Sequence, residues 1–196
     1  MIGQLKGTIL GKYPPYLLID VHGVGYEVAT PMTTFYHLPA VGEMVVLLTH
    51  LIVREDAHLL YGFRDEKIRS TFRALIKVSG VGPKSALTIL SSMEVDQLIH
   101  HIQQGNTQAL VSTPGIGKKT AERLVIEMRD VIAKWENDLS LSAKKSNSFS
   151  SPLDDAMSAL TTLGYKPQEV KMAIAKIGKE LKSTEEIIRL ALQQLA

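Results

Sequence analysis

Gly80-Val81-Gly82-Pro83-Lys84-Ser85-Ala86 recurs 35 positions later (Gly80 to Gly115) as Gly115-Ile116-Gly117-Lys118-Lys119-Thr120-Ala121. Each copy has two glycines around an aliphatic residue, then a lysine and a hydroxyl residue, and then apolar residues at helical spacing. Glycine tolerates positive φ, so the backbone can turn sharply there and expose its N–H groups. The start of the following helix adds unpaired N–H donors and the positive end of its dipole. The repeat therefore predicts two units that each grip a phosphate without reading a base.

A nucleotide-binding P-loop is the nearest alternative for the second copy. It requires a glycine five residues before the glycine that precedes the lysine, and a Ser or Thr after that lysine. Those positions hold Ser112 and Lys119, and no predicted strand precedes the second copy. The stretch Gly23-Val24-Gly25 also lacks the third glycine of a dinucleotide fingerprint. We therefore expect no nucleotide cofactor.

Composition excludes several other classes of site. The chain of 196 residues has no cysteine, which excludes disulfides and cysteine-based metal centres, and its six histidines show no metal-ligand spacing. We expect no metal and no other cofactor. Met1-Ile2-Gly3 leads directly into a strand pattern rather than a signal peptide, and no apolar run approaches the about 18 residues needed to span a bilayer. These features predict a cytoplasmic protein without a membrane segment.

The distribution of charge is more informative than its total of +2. Residues 1–63 carry a net charge of −2, residues 64–137 carry +3, residues 138–151 carry +1 and residues 152–196 are balanced. The positive excess lies in the segment that contains both glycine repeats. This placement indicates a nucleic-acid partner, because phosphates attract basic surfaces.

Residues 1–63 are predicted to form a small barrel of the OB type. Short β-branched and aliphatic runs alternate there with turn residues such as Pro14-Pro15, His22-Gly23 and Gly42. From residue 64 the period becomes helical, and residues 64–137 are expected to form an all-α domain whose last helix ends near Trp135.

Two further segments follow the helical domain. Residues 138–151 are polar and rich in serine and lysine, which predicts a flexible linker. Ser151-Pro152-Leu153-Asp154 and Ser183-Thr184-Glu185-Glu186 are typical helix starts, and Leu163-Gly164-Tyr165-Lys166-Pro167 is a turn. Residues 152–196 are therefore predicted to form a three-helix domain. The predicted fold class is multidomain α+β.

The order of these segments and several short motifs within them resemble the RuvA family. Members of that family are the DNA-binding subunit of the bacterial Holliday-junction branch-migration complex. The resemblance covers all 196 residues. Its most specific words are Met1-Ile2-Gly3, Gly23-Val24-Gly25-Tyr26-Glu27-Val28, Pro31-Met32-Thr33-Thr34-Phe35-Tyr36, Arg54-Glu55-Asp56-Ala57, Leu60-Tyr61-Gly62-Phe63, Gly80-Val81-Gly82-Pro83-Lys84 and Leu163-Gly164-Tyr165-Lys166-Pro167.

The resemblance implies a fold and a DNA-binding site. The repeats correspond to tandem helix-hairpin-helix motifs, and the tail to a UBA-like three-helix domain. A family member is a non-catalytic homotetramer that holds a four-way junction as an open square, with one or two tetramers on the junction. The implied phosphate-binding residues are Gly80, Val81, Gly82, Lys84, Ser85, Gly115, Ile116, Gly117, Lys118, Lys119, Thr120 and Arg123. The hydroxyls of Ser85 and Thr120 bind phosphate or cap their helices, and the sequence leaves both open.

The resemblance also implies a second feature and two protein partners. Glu55 and Asp56 correspond to the family's acidic pin, whose carboxylates repel phosphates at the junction centre; for an arbitrary barrel a charged turn is the simpler interpretation. Leu160, Leu163 and Tyr165 either present an apolar patch to the hexameric ATPase RuvB or form the core of the tail. The resolvase RuvC is the other implied partner, in recombination, DNA repair and the SOS response.

Two other functions use the same hairpin. A DNA glycosylase with lyase activity would place a Schiff-base lysine near Lys119 and an aspartate about one helix later. The downstream sequence instead runs through Trp135 into the predicted linker, which is a poor support for a catalytic acid. A generic duplex-binding module is the other alternative, and it leaves the acidic pair and the tail unexplained.

Overall fold

The computed structural model describes residues 1–146, 152–176 and 183–195 and divides into two compact units, Met1–Trp135 and Glu136–Ala196. The first unit contains a β-barrel and both glycine repeats. The second contains the helices of the tail. In the described ranges no helix is both long enough and apolar enough to cross a membrane.

Five strands close into a barrel at the start of the chain, in the order β1-β2-β3-β5-β4. Neighbouring strands are antiparallel except β3 and β5, which pair in parallel at Ala29 and Tyr61. Fully buried side chains, among them Ile9, Leu17 and Val28, fill the interior. The predicted OB-like barrel is confirmed. Its elements are β1 (Gln4–Tyr13), β2 (Tyr16–Val21), β3 (Val24–Ala29), the short helix α1 (Met32–Phe35), β4 (Met44–Val53) and β5 (His58–Phe63).

Five helices follow the barrel: α2 (Glu66–Leu75), α3 (Pro83–Ser92), α4 (Val95–Gln103), α5 (Thr107–Val111) and α6 (Lys118–Ser146). Asp65 begins the first of them, because its carboxylate accepts a hydrogen bond from the Ile68 N–H at 2.9 Å. Phe72 is fully buried, and its ring centroid lies 4.9 Å from those of Tyr61 and Phe63 on β5. Barrel and helices therefore share a core at this seam.

The last helix of this series is longer than the sequence predicts. We expect an end near Trp135, whereas α6 continues to Ser146. Residues 138–146 contain neither Gly nor Pro, and their leucine, alanine and lysine residues are good helix formers. The first part of the predicted linker is therefore helical. Residues 147–151 lie outside the described residues, so the flexible linker stays a prediction.

The tail forms α7 (Pro152–Thr162), α8 (Pro167–Lys176) and α9 (Thr184–Leu195). Its small core consists of Leu160, Val170, Ala173 and Ala191. The capping box predicted at Ser183 is confirmed: the Glu186 N–H donates to Ser183 Oγ at 3.3 Å, and the Ser183 N–H donates to Glu186 Oε2 at 3.4 Å. The equivalent cap predicted at Ser151 lies outside the described residues.

Candidate nucleic-acid interface

The loop between α2 and α3 has the same course as the loop between α5 and α6. Gly80 and Gly115 have φ values of +87° and +82°, a region that favours glycine. Val81 and Ile116, which follow them, are 4% and 5% exposed and belong to the core. Each loop is thus fixed by one aliphatic anchor between two glycines. The two copies of the sequence repeat form two helix-hairpin-helix motifs, as the resemblance implies.

The amides of the two anchors are engaged within their own loops, which corrects an expectation. From the resemblance we expect the N–H groups of Val81 and Ile116 to bind phosphate. In the structure Val81 donates to the Val78 carbonyl at 3.0 Å, and Ile116 donates to the Thr113 carbonyl at 3.1 Å. These bonds close the hairpin turns, so neither N–H is available to a ligand. Val81 and Ile116 therefore anchor the two loops in the core.

Open backbone donors lie next to these anchors. Gly82 is the N-cap of α3 and has no side-chain cap, and Gly117 holds the equivalent position before α6. In the part of the chain that the structure describes, the N–H groups of Gly82 and Gly117 have no intramolecular partner. A Cβ built on either glycine meets no atom within 4 Å. An anion can therefore approach both helix N-termini directly.

Three lysines surround these donors. Lys84 lies in the first turn of α3, and Lys118 and Lys119 open α6; all three are exposed. Across the described ranges none of them has a carboxylate within ion-pair distance. Their charges are thus available to a phosphate. Ser85 and Thr120 are half-buried in the same first turns, beside the exposed backbone.

The two hairpins contact each other through α6. Arg123 Nη1 donates to Ser79 Oγ, in the first hairpin, at 3.1 Å. A Cβ on Gly80 would lie 3.9 Å from Thr120 Oγ1 and 4.0 Å from Arg123 Nη1. Gly80 of the first motif is therefore a neighbour of Thr120 and Arg123 of the second. Arg123, however, is engaged with the protein.

A groove between the barrel and the first hairpin adds residues that sequence reasoning missed. This cavity of about 500 Å³ is lined by Gly82 and Lys84 on one side and by Arg54, His58 and Tyr61 on the other. Burial raises the pKa of the Tyr61 hydroxyl, and the nearby Arg54 guanidinium offsets part of that rise. The only signal in the sequence is that Arg54 directly precedes the acidic pair. Arg54 adds a cation on the barrel side of this groove, which the acidic Glu27 also lines.

Glu55 and Asp56 occupy the tip of the turn between β4 and β5. The Arg54 N–H donates to the Ala57 carbonyl at 2.9 Å and closes this turn, and both carboxylates are exposed. Among the described residues no group of three or more His, Cys, Asp or Glu side chains is placed to hold a metal ion. Two exposed carboxylates at this tip can repel phosphates locally.

The apolar residues predicted in the tail do not form one surface, which corrects the expectation of a patch. Leu160 is fully buried in the small core, because it faces α8 and α9 in a unit too small to spare such a side chain. Tyr165 is half-buried against the same core. Leu163 is 64% exposed and, of the three, is the one accessible to a partner. Met172, at 62% exposure, is a further accessible apolar residue that the sequence analysis did not single out.

Comparison with known families accounts for most of the chain. Residues 1–62 match the RuvA N terminal domain, residues 72–130 match a SAM-like helix-hairpin-helix tandem, and residues 151–196 match the RuvA C-terminal domain. These matches coincide with the barrel, the two hairpins and the tail.

Full-length relatives show the same relationship. The chain is 53% identical over 198 aligned residues to a Holliday junction branch migration complex subunit RuvA of Pseudomonas aeruginosa. The alignment covers 98% of each of the two chains. It is 55% identical over 196 residues to the protein of that name from Coxiella burnetii, which covers 100% of this chain and 98% of the relative. With this identity over its whole length, the chain belongs to the RuvA family.

Proposed function

We propose that this protein binds four-way (Holliday) junction DNA without sequence preference and serves as the DNA-binding subunit of a branch-migration complex. The observation that carries the proposal is the pair of matching hairpins, which contact each other through Ser79 and Arg123 and each offer an open helix N-terminus and exposed lysines. The printed names of the relatives at 53% and 55% identity support the same function.

Sequence-blind binding follows from the kind of donor that the hairpins offer. Backbone N–H groups of Gly82 and Gly117 and the ammonium groups of three lysines contact phosphates, which are the same at every base pair. Two hairpins in contact suit the two backbones that flank one minor groove. The protein then recognises where strands run rather than which bases they carry.

The acidic turn converts duplex binding into junction handling. In a tetramer of this chain four copies of Glu55 and Asp56 would meet at the centre of a four-fold plate. Carboxylates at that point repel the phosphates of a closed, stacked crossover and keep the exchanging strands apart. Arg54, which lines the groove together with Lys84, directly precedes the acidic pair, so each strand is held next to the point where it is repelled.

The tail supplies the link to a motor. Leu163 offers an exposed apolar side chain to the hexameric ATPase RuvB, while Leu160 maintains the fold that presents it. ATP hydrolysis belongs to that partner, because neither glycine repeat has the P-loop pattern. RuvC is the expected resolvase on the same junction.

The lyase alternative has less support. A Schiff-base lysine needs a lowered pKa, which it obtains from a desolvated pocket or a neighbouring cation. Lys119 is exposed on the first turn of α6. Its position suits a phosphate contact better than a nucleophile.

Energy transfer between fluorophores on two neighbouring arm ends of a junction tests the proposal. A free junction in Mg²⁺ stacks its arms in pairs. We expect saturating protein to bring all neighbouring arm ends to one common separation, as an open square requires. Unchanged transfer at saturation would contradict the proposed mode of binding, even if affinity were high.

A further inference from the structure

Ser79, in the first hairpin, makes two hydrogen bonds with the helix of the second motif, one as acceptor and one as donor. Arg123 Nη1 donates to Ser79 Oγ at 3.1 Å, and the Ser79 N–H donates to Glu127 Oε2 at 3.4 Å. Arg123 and Glu127 are four residues apart on α6, so their side chains project from the same face of that helix. One residue of the first hairpin is thus held between two residues of the second motif.

We propose that Arg123 and Glu127 are positioning residues that set the spacing of the two hairpins, and that Arg123 is not itself a phosphate ligand. The proposal deepens the DNA-binding function and rests on it. Two hairpins grip the two backbones of one groove only if their donors are held at the spacing of those backbones. Because α6 begins at the second hairpin, a contact from α6 to Ser79 fixes that spacing directly.

The repeat itself diverges at the three positions of this contact. The residue equivalent to Ser79 in the second copy is Pro114, which has neither an N–H nor a hydroxyl. The residues of the first copy equivalent to Arg123 and Glu127 are Thr88 and Ser92. The glycines, the aliphatic anchors and the lysine pair Lys84 and Lys119 are shared by the two copies, whereas the groups that bond to Ser79 are found once. This is the pattern expected when one copy braces the other.

The two hydrogen bonds that join Ser79 to Arg123 and Glu127, here called the brace, lie where a positioning role requires them. Ser79 directly precedes Gly80, the residue whose positive φ turns the first hairpin. Arg123 Nη1 lies 4.0 Å from the site of a Cβ on Gly80. Loss of the brace frees the turn just before the exposed N–H of Gly82. We therefore expect the first hairpin to lose its alignment while its own donors remain intact.

The test compares Ser79→Ala, Arg123→Ala and the double variant in titrations of a linear duplex over a range of salt concentrations. Ser79→Ala removes no charge, so it leaves the number of cations that can neutralise phosphates unchanged. We expect each single variant to weaken binding about three- to tenfold, the range of one or two hydrogen bonds. We also expect the slope of log K against log[salt] to stay unchanged, and the double variant to be no weaker than the weaker single variant. Arg123→Lys, which keeps a donor, restores part of the affinity, and Lys134→Ala, an exposed cation on the same helix, has no effect.

Two outcomes overturn the proposal. If Arg123→Ala flattens the salt slope by about 0.9 while Ser79→Ala binds normally, Arg123 is a phosphate ligand and not a brace. Amide hydrogen exchange of residues 79–82 in the free protein supplies the second test. The brace predicts faster exchange in both single variants than in the wild type or in Lys134→Ala, and equal exchange contradicts it. If the wild type binds no DNA, the proposed function fails, while the exchange measurement still decides the brace.

Discussion

Gly80 and Gly115 are equivalent in the two hairpins, with φ values of +87° and +82°. Each precedes a buried aliphatic anchor whose N–H closes the turn, and each is followed two residues later by a glycine with an open N–H. The equivalence of these two residues shows that the sequence repeat is a repeat of backbone geometry. The DNA-binding proposal depends on that geometry.

Gly80→Ala and Gly115→Ala should each destabilise the first unit. An L-residue in the left-handed region costs about 1–2 kcal/mol, and this cost is expected in the free energy of unfolding measured by urea titration. Gly3→Ala is the matched control, because a Cβ at Gly3 meets nothing within 4 Å and its φ is not positive. If alanine at positions 80 and 115 has the effect of alanine at position 3, the turns do not depend on positive φ.

Replacing Lys118 and Lys119 by alanine should weaken binding to junction and duplex together. The loss is electrostatic, so the slope of log K against log[salt] should fall by about 0.9 for each phosphate contact removed. Salt-dependent titration of the double variant and of Lys134→Ala measures it. A slope that equals the wild type's in the double variant would remove the hairpins from the DNA interface.

Glu55→Gln with Asp56→Asn should leave junction affinity equal or raise it, because two charges that repel phosphate are removed. Branch migration by the complex with the ATPase should change, since the strands are no longer kept apart electrostatically. Glu43→Gln, at an exposed acid elsewhere on the barrel, controls for general loss of charge. Loss of junction binding in the Glu55 and Asp56 variant would show that the acidic pair holds DNA rather than repels it.

Substitutions at Leu163 and Leu160 should separate binding of the ATPase from the stability of the tail. Leu163→Asp should keep the thermal stability of the second unit, because this side chain is 64% exposed, and should abolish binding to the ATPase in a pull-down. Leu160→Ala should lower the free energy of unfolding of the same unit by about 2–5 kcal/mol, since Leu160 is fully buried. Normal ATPase binding by Leu163→Asp would move the docking surface elsewhere on the tail.

His50 predicts a loss of stability in mild acid. Its ring lies at the seam between β4 and α2, where Arg73 Nε donates to Nδ1 at 3.3 Å. Burial, followed by the charges of Arg73 and Arg69, holds the pKa of His50 below its ordinary value of 6.5. The unfolded chain therefore binds the proton more readily, and stability falls as the pH drops below about 6.5 toward the folded pKa.

Denaturation between pH 5 and pH 8 measures this effect, with His50→Gln as the variant and His22→Gln, at an exposed histidine, as the control. His50→Gln should lose the part of the pH dependence that lies below about 6.5. An unchanged profile in His50→Gln would assign the acid sensitivity to other groups.

Local patterns predicted the parts of this protein that depend on local chemistry. Short apolar runs separated by turn residues predicted the barrel, and the repeated glycine motif predicted both hairpins. The capping box at Ser183 was equally readable, because all of its hydrogen bonds lie within four residues.

What the sequence could not predict depends on contacts between distant segments. Arg123 reaches Ser79 across 44 positions, and no local spacing signals that contact. Arg54 and Lys84 line one groove only because the barrel packs beside the first hairpin. The sequence left open whether Leu160 lies in the core or on the surface of the tail, because an apolar stripe on a short helix does not show which of its members the neighbouring helices cover.

A competition titration tests the central claim most directly. Protein bound to a labelled four-way junction is challenged with unlabelled junction or with linear duplex of the same length, and the mass of the complex is measured in parallel. We predict that equimolar junction displaces the label, that duplex does so only in large excess, and that the complex contains four chains or a multiple of four. Equal displacement by junction and duplex would contradict the account and leave the protein a general duplex binder.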